Sequence, residues 1–256
     1  MGVSARGPAW LGIGAQRSGT TWFTDLLLQH PRVTLSRQQC KELHSLYSSL
    51  MDGWGEQEKE GYRAMFDVGG LPGECTPYYL RACWVAPLAR DVLPPEAPVI
   101  VLLRDPVERF ASAMRHRLSR SEPAHEERHR LPELRDLSSD AQWGGMYASQ
   151  LEAWAAAVGR GRMMVFQYEA VRADPVSAVE AVWSRLGLDP VPLVGVDRPS
   201  RVATSSNVWQ LPADMAEQLR ALYRGEIERL SREWGVDVGL WRQAWEGGQP
   251  SHRYSS

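Results

Sequence analysis

Residues 10–22 read Trp-Leu-Gly-Ile-Gly-Ala-Gln-Arg-Ser-Gly-Thr-Thr-Trp. The apolar run that opens this stretch predicts a buried strand, and the spacing of apolar residues after Thr21 predicts a helix. Glycines at positions 12, 14 and 19 predict a loop between the two. Backbone N–H groups that converge at a helix N-terminus attract anions. The stretch therefore predicts either a phosphate-binding loop or a tight strand-to-helix turn with an incidental arginine.

The loop fits the phosphate-loop frame only in part. Gly14 and Gly19 have the spacing of the pattern G-x-x-x-x-G, but Thr20 stands where the Walker lysine belongs. The nearest cation is Arg17, which lies inside the loop. A guanidinium cannot be deprotonated and suits a fork-like grip on phosphate or sulfate oxygens.

Composition narrows the class of protein. The chain has 256 residues and a net charge of -2. These values predict one domain over residues 1–256 and argue against a general nucleic-acid binder. Cys40, Cys75 and Cys83 form no C-x-x-C pair, and no secretory signal or long apolar span is present. We therefore expect a cytoplasmic protein that does not bind membranes. The histidines show no metal-ligand spacing, and His125 and His129 fit a solvated surface better.

A second stretch, Val99–Leu103, is the clearest strand in the sequence. Its unbroken apolar run is typical of a parallel strand that is covered on both faces. Arg104 follows directly, and a predicted helix after it carries Ser112. Because ligands bind beyond the carboxyl ends of parallel strands, Arg104 and Ser112 are predicted to share a rim with the glycine loop. Asp105 either holds Mg²⁺ or starts the helix.

The remaining segments alternate between strand and helix patterns, which predicts a three-layer α/β fold with a central parallel sheet and helices on both faces. Val33–Leu35 is a short strand candidate, Met163–Phe166 a buried strand, and Tyr78–Leu93 a helix. Residues 119–142 are predicted to form a mobile loop or lid, and residues 243–256 a flexible tail. Lys41, Glu42 and His44, taken alone, fit the exposed face of a helix.

These motifs also limit the chemistry. A kinase needs a lysine in the loop and a carboxylate for Mg²⁺, and the second strand ends in an arginine instead. A sulfuryl group carries less negative charge than a phosphoryl dianion, so fixed cations and amides can suffice without metal.

Gly14–Thr21 resembles the 5′-phosphosulfate loop of sulfotransferases that use 3′-phosphoadenosine 5′-phosphosulfate (PAPS), and Val99–Ser112 resembles their 3′-phosphate motif. Further matches are Gly73–Leu80, Gly145–Tyr147 and Tyr168–Glu169 followed by Asp174–Pro175, and the resemblance spans about residues 10–235. It implies a P-loop-like sulfotransferase fold, PAPS as donor, adenosine 3′,5′-bisphosphate as product, and no required metal. The residues that would bind the donor are Gln16, Arg17, Ser18, Gly19, Thr20, Thr21, Trp22, Arg104, Ser112 and, in a late loop, Arg201.

Within that family the chain is most similar to the carbohydrate and heparan-sulfate type and its bacterial relatives. The resemblance assigns the general base to Glu42 with His44 nearby, or to His44 itself. Arg17 replaces the usual loop lysine and would act by electrostatic stabilisation. Cys75 stands where heparan-type enzymes commonly carry a lysine, which argues against a sulfated polysaccharide as acceptor.

We therefore predict a sulfotransferase that acts on a hydroxyl of a small glycosylated, alcoholic or phenolic acceptor, such as a bacterial natural product, as a monomer or homodimer. The alternatives are a P-loop kinase that uses ATP and Mg²⁺ and a catalytically silent nucleotide-binding module. Binding of adenosine 3′,5′-bisphosphate against ATP–Mg²⁺, and turnover with an acceptor library, would separate them.

Overall fold

The computed structural model describes residues 6–47, 53–118, 139–196 and 209–247. Its strands are β1 (Trp10–Gly14), β2 (Val33–Leu35), β3 (Leu71–Cys75), β4 (Val99–Leu103) and β5 (Met163–Gln167). Its longer helices are α1 (Thr20–Leu27), α2 (Glu56–Ala64), α3 (Val85–Val92), α4 (Pro106–Leu118), α5 (Tyr147–Val158), α6 (Tyr168–Ala173), α7 (Pro175–Arg185), α8 (Ala213–Trp234) and α9 (Gly239–Glu246). The predicted alternation of strands and helices is confirmed.

The strands form one five-stranded sheet in the order β2-β3-β1-β4-β5. β1 pairs in parallel with β3 on one side and with β4 on the other, and β2 pairs in parallel with β3. Every residue of β1 and of β4 is buried. Their apolar runs therefore fill positions inside the sheet, where helices cover both faces, as predicted.

Close packing between β1 and β3 depends on a small residue. A Cβ atom added at Gly73 would lie 2.3 Å from the indole of Trp10. That indole is buried and donates a hydrogen bond from Nε1 to the Leu71 carbonyl at 3.1 Å. The Trp10 ring thus lies over β3 where β3 has no side chain.

Met163–Phe166 forms a strand as predicted, but the prediction that this strand is buried was wrong. β5 is half-buried along most of its length. In the sheet that the described residues form, it is an edge strand with a neighbour on one side only. An apolar sequence predicts a strand well, but it does not say whether that strand is internal.

The predicted helix over Tyr78–Leu93 begins only at Val85. The Leu80 N–H donates to the Ile13 carbonyl of β1 at 2.7 Å, and Trp154 Nε1 donates to the carbonyls of Tyr79 and Leu80 at 3.2 Å each. Because these backbone groups are bonded to distant residues, the segment after β3 follows the edge of the sheet and does not coil.

The chain divides into two compact units, residues 1–102 with 150–200 and residues 103–149 with 201–256. The described part of the first unit holds an apolar core that includes Trp10, Phe23, Leu102 and Trp183. The described part of the second unit has its own core, which includes Phe110, Met114, Leu219 and Tyr223. The prediction of a single domain over residues 1–256 stays a prediction.

Two predicted loops differ from the structure at their ends. Of the predicted lid, residues 119–138 lie outside the described residues, and residues 139–142 are helical. Of the predicted tail, residues 243–246 belong to α9, and residues 248–256 lie outside the described residues. α9 is anchored because Trp241 is buried and Trp245 Nε1 donates to Asp105 Oδ2 at 2.9 Å.

Among the helices that the structure describes, none is both long enough and apolar enough to cross a bilayer.

Candidate active site

The loop between β1 and α1 presents the start of a helix. Gly19 caps α1 with a φ of 85°, and Arg17 also has a positive φ, of 70°. The first helix N–H with a backbone acceptor among the described residues is that of Phe23, which donates to the Gly19 carbonyl at 3.1 Å. The N–H groups of the first turn are therefore free of intrahelical partners and suit an anion.

Ser18 in this loop and Trp22 in the first turn of α1 each carry a buried polar atom without a hydrogen-bond partner among the described residues. These atoms are the Ser18 hydroxyl oxygen and Trp22 Nε1. A buried hydroxyl or indole N–H without a partner costs free energy, about 1–3 kcal/mol each. A phosphate or sulfate oxygen at the helix start is an acceptor of the kind that the Ser18 hydroxyl lacks, so this hydroxyl and the N–H groups of the first turn fit the nucleotide that the resemblance implies.

Tyr168, the first residue of α6, forms one wall of this loop. A Cβ atom at Gly19 would lie 2.5 Å from the Tyr168 ring. The same ring meets Trp22 edge-on, with centroids 6.3 Å apart. Only glycine leaves room for the tyrosine at this turn, and its positive φ also favours glycine.

A chain of contacts leads from α1 to the segment after β2. The Lys41 Nζ atom donates to Thr21 Oγ1 at 3.0 Å and lies 3.0 Å from Glu42 Oε1. The second carboxylate oxygen of Glu42 lies 3.4 Å from His44 Nε2. Thr21, Glu42 and His44, predicted from sequence, are thus linked in one constellation, with Lys41 at its centre.

Residues 41–44 are not helical, so the interpretation as an exposed helix face was wrong for this segment. The backbone is held by the end of β3: Cys75 N–H donates to the Lys41 carbonyl at 2.8 Å. The Leu43 N–H donates to Glu74 Oε2 at 3.3 Å, and the His44 N–H donates to Thr76 Oγ1 at 3.4 Å. These bonds fix the segment in an irregular conformation in which His44 has a φ of 57°.

Glu74 is a fully buried carboxyl group that organises this support. Thr76 Oγ1 and Tyr62 Oη each donate to it at 2.6 Å, and Tyr79 Oη donates at 3.3 Å. Together with the Leu43 N–H, four donors surround the two carboxyl oxygens. Burial raises the pKa of the Glu74 carboxyl, and the hydrogen bonds oppose that rise.

Cys75 points to the opposite side of β3. Its side chain is buried, and a Cβ atom at Gly12 would lie 2.6 Å from its sulfur. Burial raises the pKa of the Cys75 thiol, which disfavours the reactive thiolate. This environment fits a small packing residue and does not fit a nucleophile.

Arg104 and Ser112 belong to the second unit. Arg104 Nη2 lies 3.6 Å from Glu108 Oε2, and the Arg104 carbonyl accepts a hydrogen bond from Tyr147 Oη at 2.8 Å. Ser112 is half-buried on α4. Arg201 lies outside the described residues.

Asp105 starts a helix, which was one of the two roles predicted for it. Its Oδ1 atom accepts hydrogen bonds from the N–H groups of Val107 at 2.8 Å and Glu108 at 3.2 Å. Its other oxygen accepts from Trp245. The carboxylate thus caps α4 in a buried position.

Sequence reasoning missed three residues of this constellation: Lys41 as a bridge, and Glu74 and Thr76 as its support. One signal was available, because a glutamate inside a short strand between glycine and cysteine is rarely buried unless it is hydrogen-bonded. The contacts of Lys41 depend on how the irregular segment lies against α1, and no spacing in the sequence encodes that.

Comparison with known proteins identifies the family of this chain. Residues 9–198 match the sulfotransferase domain family. The chain is 26% identical over 200 residues to the mouse bifunctional heparan sulfate N-deacetylase/N-sulfotransferase 4, covering 72% of this chain and 22% of that protein. It is 30% identical over 181 residues to the mouse heparan sulfate glucosamine 3-O-sulfotransferase 3B1, covering 69% of this chain and 45% of that protein.

A crystal structure of a sulfotransferase from Alicyclobacillus acidocaldarius is similar in fold, with a TM-score of 0.70 at 23% identity, and covers 92% of this chain and 98% of that one. The chain therefore belongs to the sulfotransferase domain family, and the predicted family and fold are confirmed. The chain spans about a fifth to a half of the length of these curated relatives.

Proposed function

We propose that this chain transfers a sulfuryl group from PAPS to a hydroxyl of a small-molecule acceptor. The observation that carries the proposal is the bridge from the helix start to a carboxylate, in which Lys41 Nζ lies 3.0 Å from both Thr21 Oγ1 and Glu42 Oε1. Sulfuryl transfer needs an anion site for the donor and a base beside it. Family membership supplies the class of reaction.

Within the glycine loop, we propose that Gln16–Trp22 bind the 5′ end of the donor. The buried hydroxyl of Ser18 and the N–H groups at the start of α1 would donate hydrogen bonds to its oxygens, and Arg17 would add charge. When bound, PAPS supplies the sulfuryl group: a bond forms between the acceptor oxygen and sulfur, and the electron pair of the broken sulfur–oxygen bond stays on the 5′-phosphate. Arg104 and Ser112 are proposed to bind the 3′-phosphate, on the strength of their sequence motif.

Glu42 is proposed as the general base that takes the acceptor proton. Its side chain is 38% exposed, so an acceptor from solvent can reach it, and one oxygen faces His44. A positioned carboxylate can remove the proton of a hydroxyl as that oxygen attacks. His44 would orient either the carboxylate or the acceptor.

A cluster of aromatic side chains supports a small acceptor with a ring. Tyr47 and Trp84 are 40% and 46% exposed, and the Tyr47 ring lies 4.8 Å from Tyr78 and 5.9 Å from Trp84 between centroids. Tyr47 follows His44 by three residues, and its N–H donates to the His44 carbonyl at 3.0 Å. Exposed aromatic rings pack well against sugar or phenol rings, so we propose a glycosylated, alcoholic or phenolic acceptor.

The test is transfer from sulfur-labelled PAPS to a library of glycosides, alcohols and phenols, with adenosine 3′,5′-bisphosphate measured as the second product. Glu42→Gln should keep donor binding and lower the rate about 10²–10⁴-fold. His44→Ala should have a smaller effect. Glu56→Gln is a matched control, because Glu56 also lies 3.0 Å from a lysine, Lys59.

An unactivated alcohol should be used as acceptor, because a phenol with a pKa near ~10 needs less help from a base. Full turnover by Glu42→Gln and none by His44→Ala would assign the base to His44. Donor binding without transfer to any acceptor would indicate a silent nucleotide-binding module, and turnover of ATP–Mg²⁺ would indicate a kinase.

A further inference from the structure

We propose that Lys41 is a catalytic residue, which binds the sulfuryl group of the donor through its ammonium group and neutralises the charge that develops there. This inference rests on the proposed function and adds a residue to it. The ammonium group lies between the helix start that would hold the donor and the carboxylate that would take the acceptor proton.

The contacts of Lys41 leave one donor available. A lysine ammonium has three N–H donors. Among the described residues, two of them are used, by Thr21 Oγ1 and Glu42 Oε1, both at 3.0 Å. The side chain is only 17% exposed, and its contact with Thr21 holds the ammonium group beside the N-terminus of α1.

The backbone also holds this position. The Lys41 carbonyl accepts a hydrogen bond from the Cys75 N–H at 2.8 Å, which ties the residue to the end of β3. Two residues later, the Leu43 N–H donates to the buried carboxyl of Glu74. A cation fixed at both its backbone and its head group loses little freedom when it meets an anion, so its charge acts without reorganisation.

Lysine is rare in this chain. Of the 29 basic residues, two are lysines, Lys41 and Lys59, and the rest are arginines. An ammonium is a compact charge that can direct its donors to three separate oxygens, whereas a guanidinium presents a flat fork. The contacts of Lys41 Nζ to Thr21 and to Glu42, with a proposed third to a sulfuryl oxygen, suit that arrangement of donors.

Lys59 provides a matched control for Lys41. Its Nζ atom also has two partners, Glu56 Oε1 at 3.0 Å and Asp91 Oδ2 at 3.4 Å, and its side chain is 18% exposed. Lys59 differs from Lys41 in its location, because its two partners lie on α2 and α3 and not beside the start of α1. Loss of either lysine removes one charge and two contacts, so a general effect of charge or folding should appear in both variants.

The experiment is calorimetric titration of the intact chain with PAPS and with adenosine 3′,5′-bisphosphate, which lacks the sulfuryl group. Lys41→Met should weaken PAPS about tenfold or more relative to adenosine 3′,5′-bisphosphate, the usual effect of losing a hydrogen bond from a charged donor. Lys59→Met should keep the wild-type ratio. Turnover of Lys41→Met should fall about 10²–10³-fold.

Lys41→Gln, which keeps polar contacts without charge, should give the same change in ratio and serves if the methionine variant does not fold. Equal weakening of both nucleotides, or of neither, would overturn the role of Lys41 and leave the proposed function intact. A wild-type chain that binds neither nucleotide would overturn both proposals.

Discussion

Thr76→Val and Tyr62→Phe each remove one hydroxyl group, and both hydroxyls have Glu74 as their hydrogen-bond partner. Both hydroxyls donate to the buried carboxyl of Glu74 at 2.6 Å, one to each oxygen. Of these two hydroxyls, only that of Thr76 also accepts a hydrogen bond within the part of the chain that the structure describes, from the His44 N–H at 3.4 Å. Comparing the two variants therefore separates the effect of these hydroxyls on the stability of the fold from their effect on the position of the candidate base.

The two variants should lose similar stability. All three side chains are buried, so each substitution removes a hydrogen bond that water cannot replace. A hydrogen bond to such a carboxyl contributes about 1–3 kcal/mol. In a chain of this length each kcal/mol changes the melting temperature by about 2–4 °C. The melting temperature of both variants should therefore be about 2–12 °C lower than that of the wild type.

Turnover should differ between them. Without its bond to Thr76, the segment that carries Glu42 and His44 loses one of the three bonds that tie it to the end of β3, and a displacement of about 1 Å can lower a rate by up to about 10²-fold. We expect kcat of Thr76→Val to fall about 10–100-fold, and that of Tyr62→Phe to stay within about twofold, at a temperature well below both transitions. Equal rates in two equally destabilised variants would refute the positioning role of Thr76.

Three further predictions follow from the site. Arg104→Ala and Ser112→Ala should weaken adenosine 3′,5′-bisphosphate by about 1.5–3 kcal/mol but leave adenosine 5′-monophosphate nearly unchanged in titrations, and equal losses would remove both residues from the 3′-phosphate site. EDTA should leave the transfer rate unchanged, because Arg17 and the loop amides supply the charge that Mg²⁺ supplies in kinases, and a strict Mg²⁺ requirement would contradict this. Burial raises the pKa of Glu74 above its ordinary value of 4.5, so this carboxyl stabilises the fold most below that pH and less as pH rises through its folded pKa. The stability advantage of wild type over Glu74→Gln, measured by denaturant unfolding, should therefore shrink as the pH rises above about 4.5.

The sequence predicted best where the local pattern and the tertiary role agree. The apolar run, the glycines and the helix spacing of residues 10–27 each specify their own conformation, and β1, the loop and α1 form there. β4 and its helix start were predictable for the same reason, since Asp105 and Pro106 act within their own turn.

Prediction failed where distant partners determine the backbone. The sequence pattern after Tyr78 is typical of a helix, but the Leu80 N–H donates to the carbonyl of Ile13, which lies in β1. Residues 41–44 carry the charges of a solvated helix, yet Glu74, Cys75 and Thr76 hold them in an irregular segment. Such hydrogen bonds join residues more than thirty positions apart, so the local periodicity of the sequence cannot predict them.

Among the described residues, the non-glycine positions with a positive φ are Arg17, Gln39 and His44. This conformation costs an ordinary residue roughly 1 kcal/mol or more and excludes β-branched side chains almost entirely. Two of these three positions carry candidate site residues, so their permitted substitutions are restricted by backbone shape before chemistry is considered. We expect that laboratory evolution toward a new acceptor would leave positions 17 and 44 unchanged and would accumulate its mutations at the exposed rings of Tyr47 and Trp84, whose replacement leaves the backbone as it is.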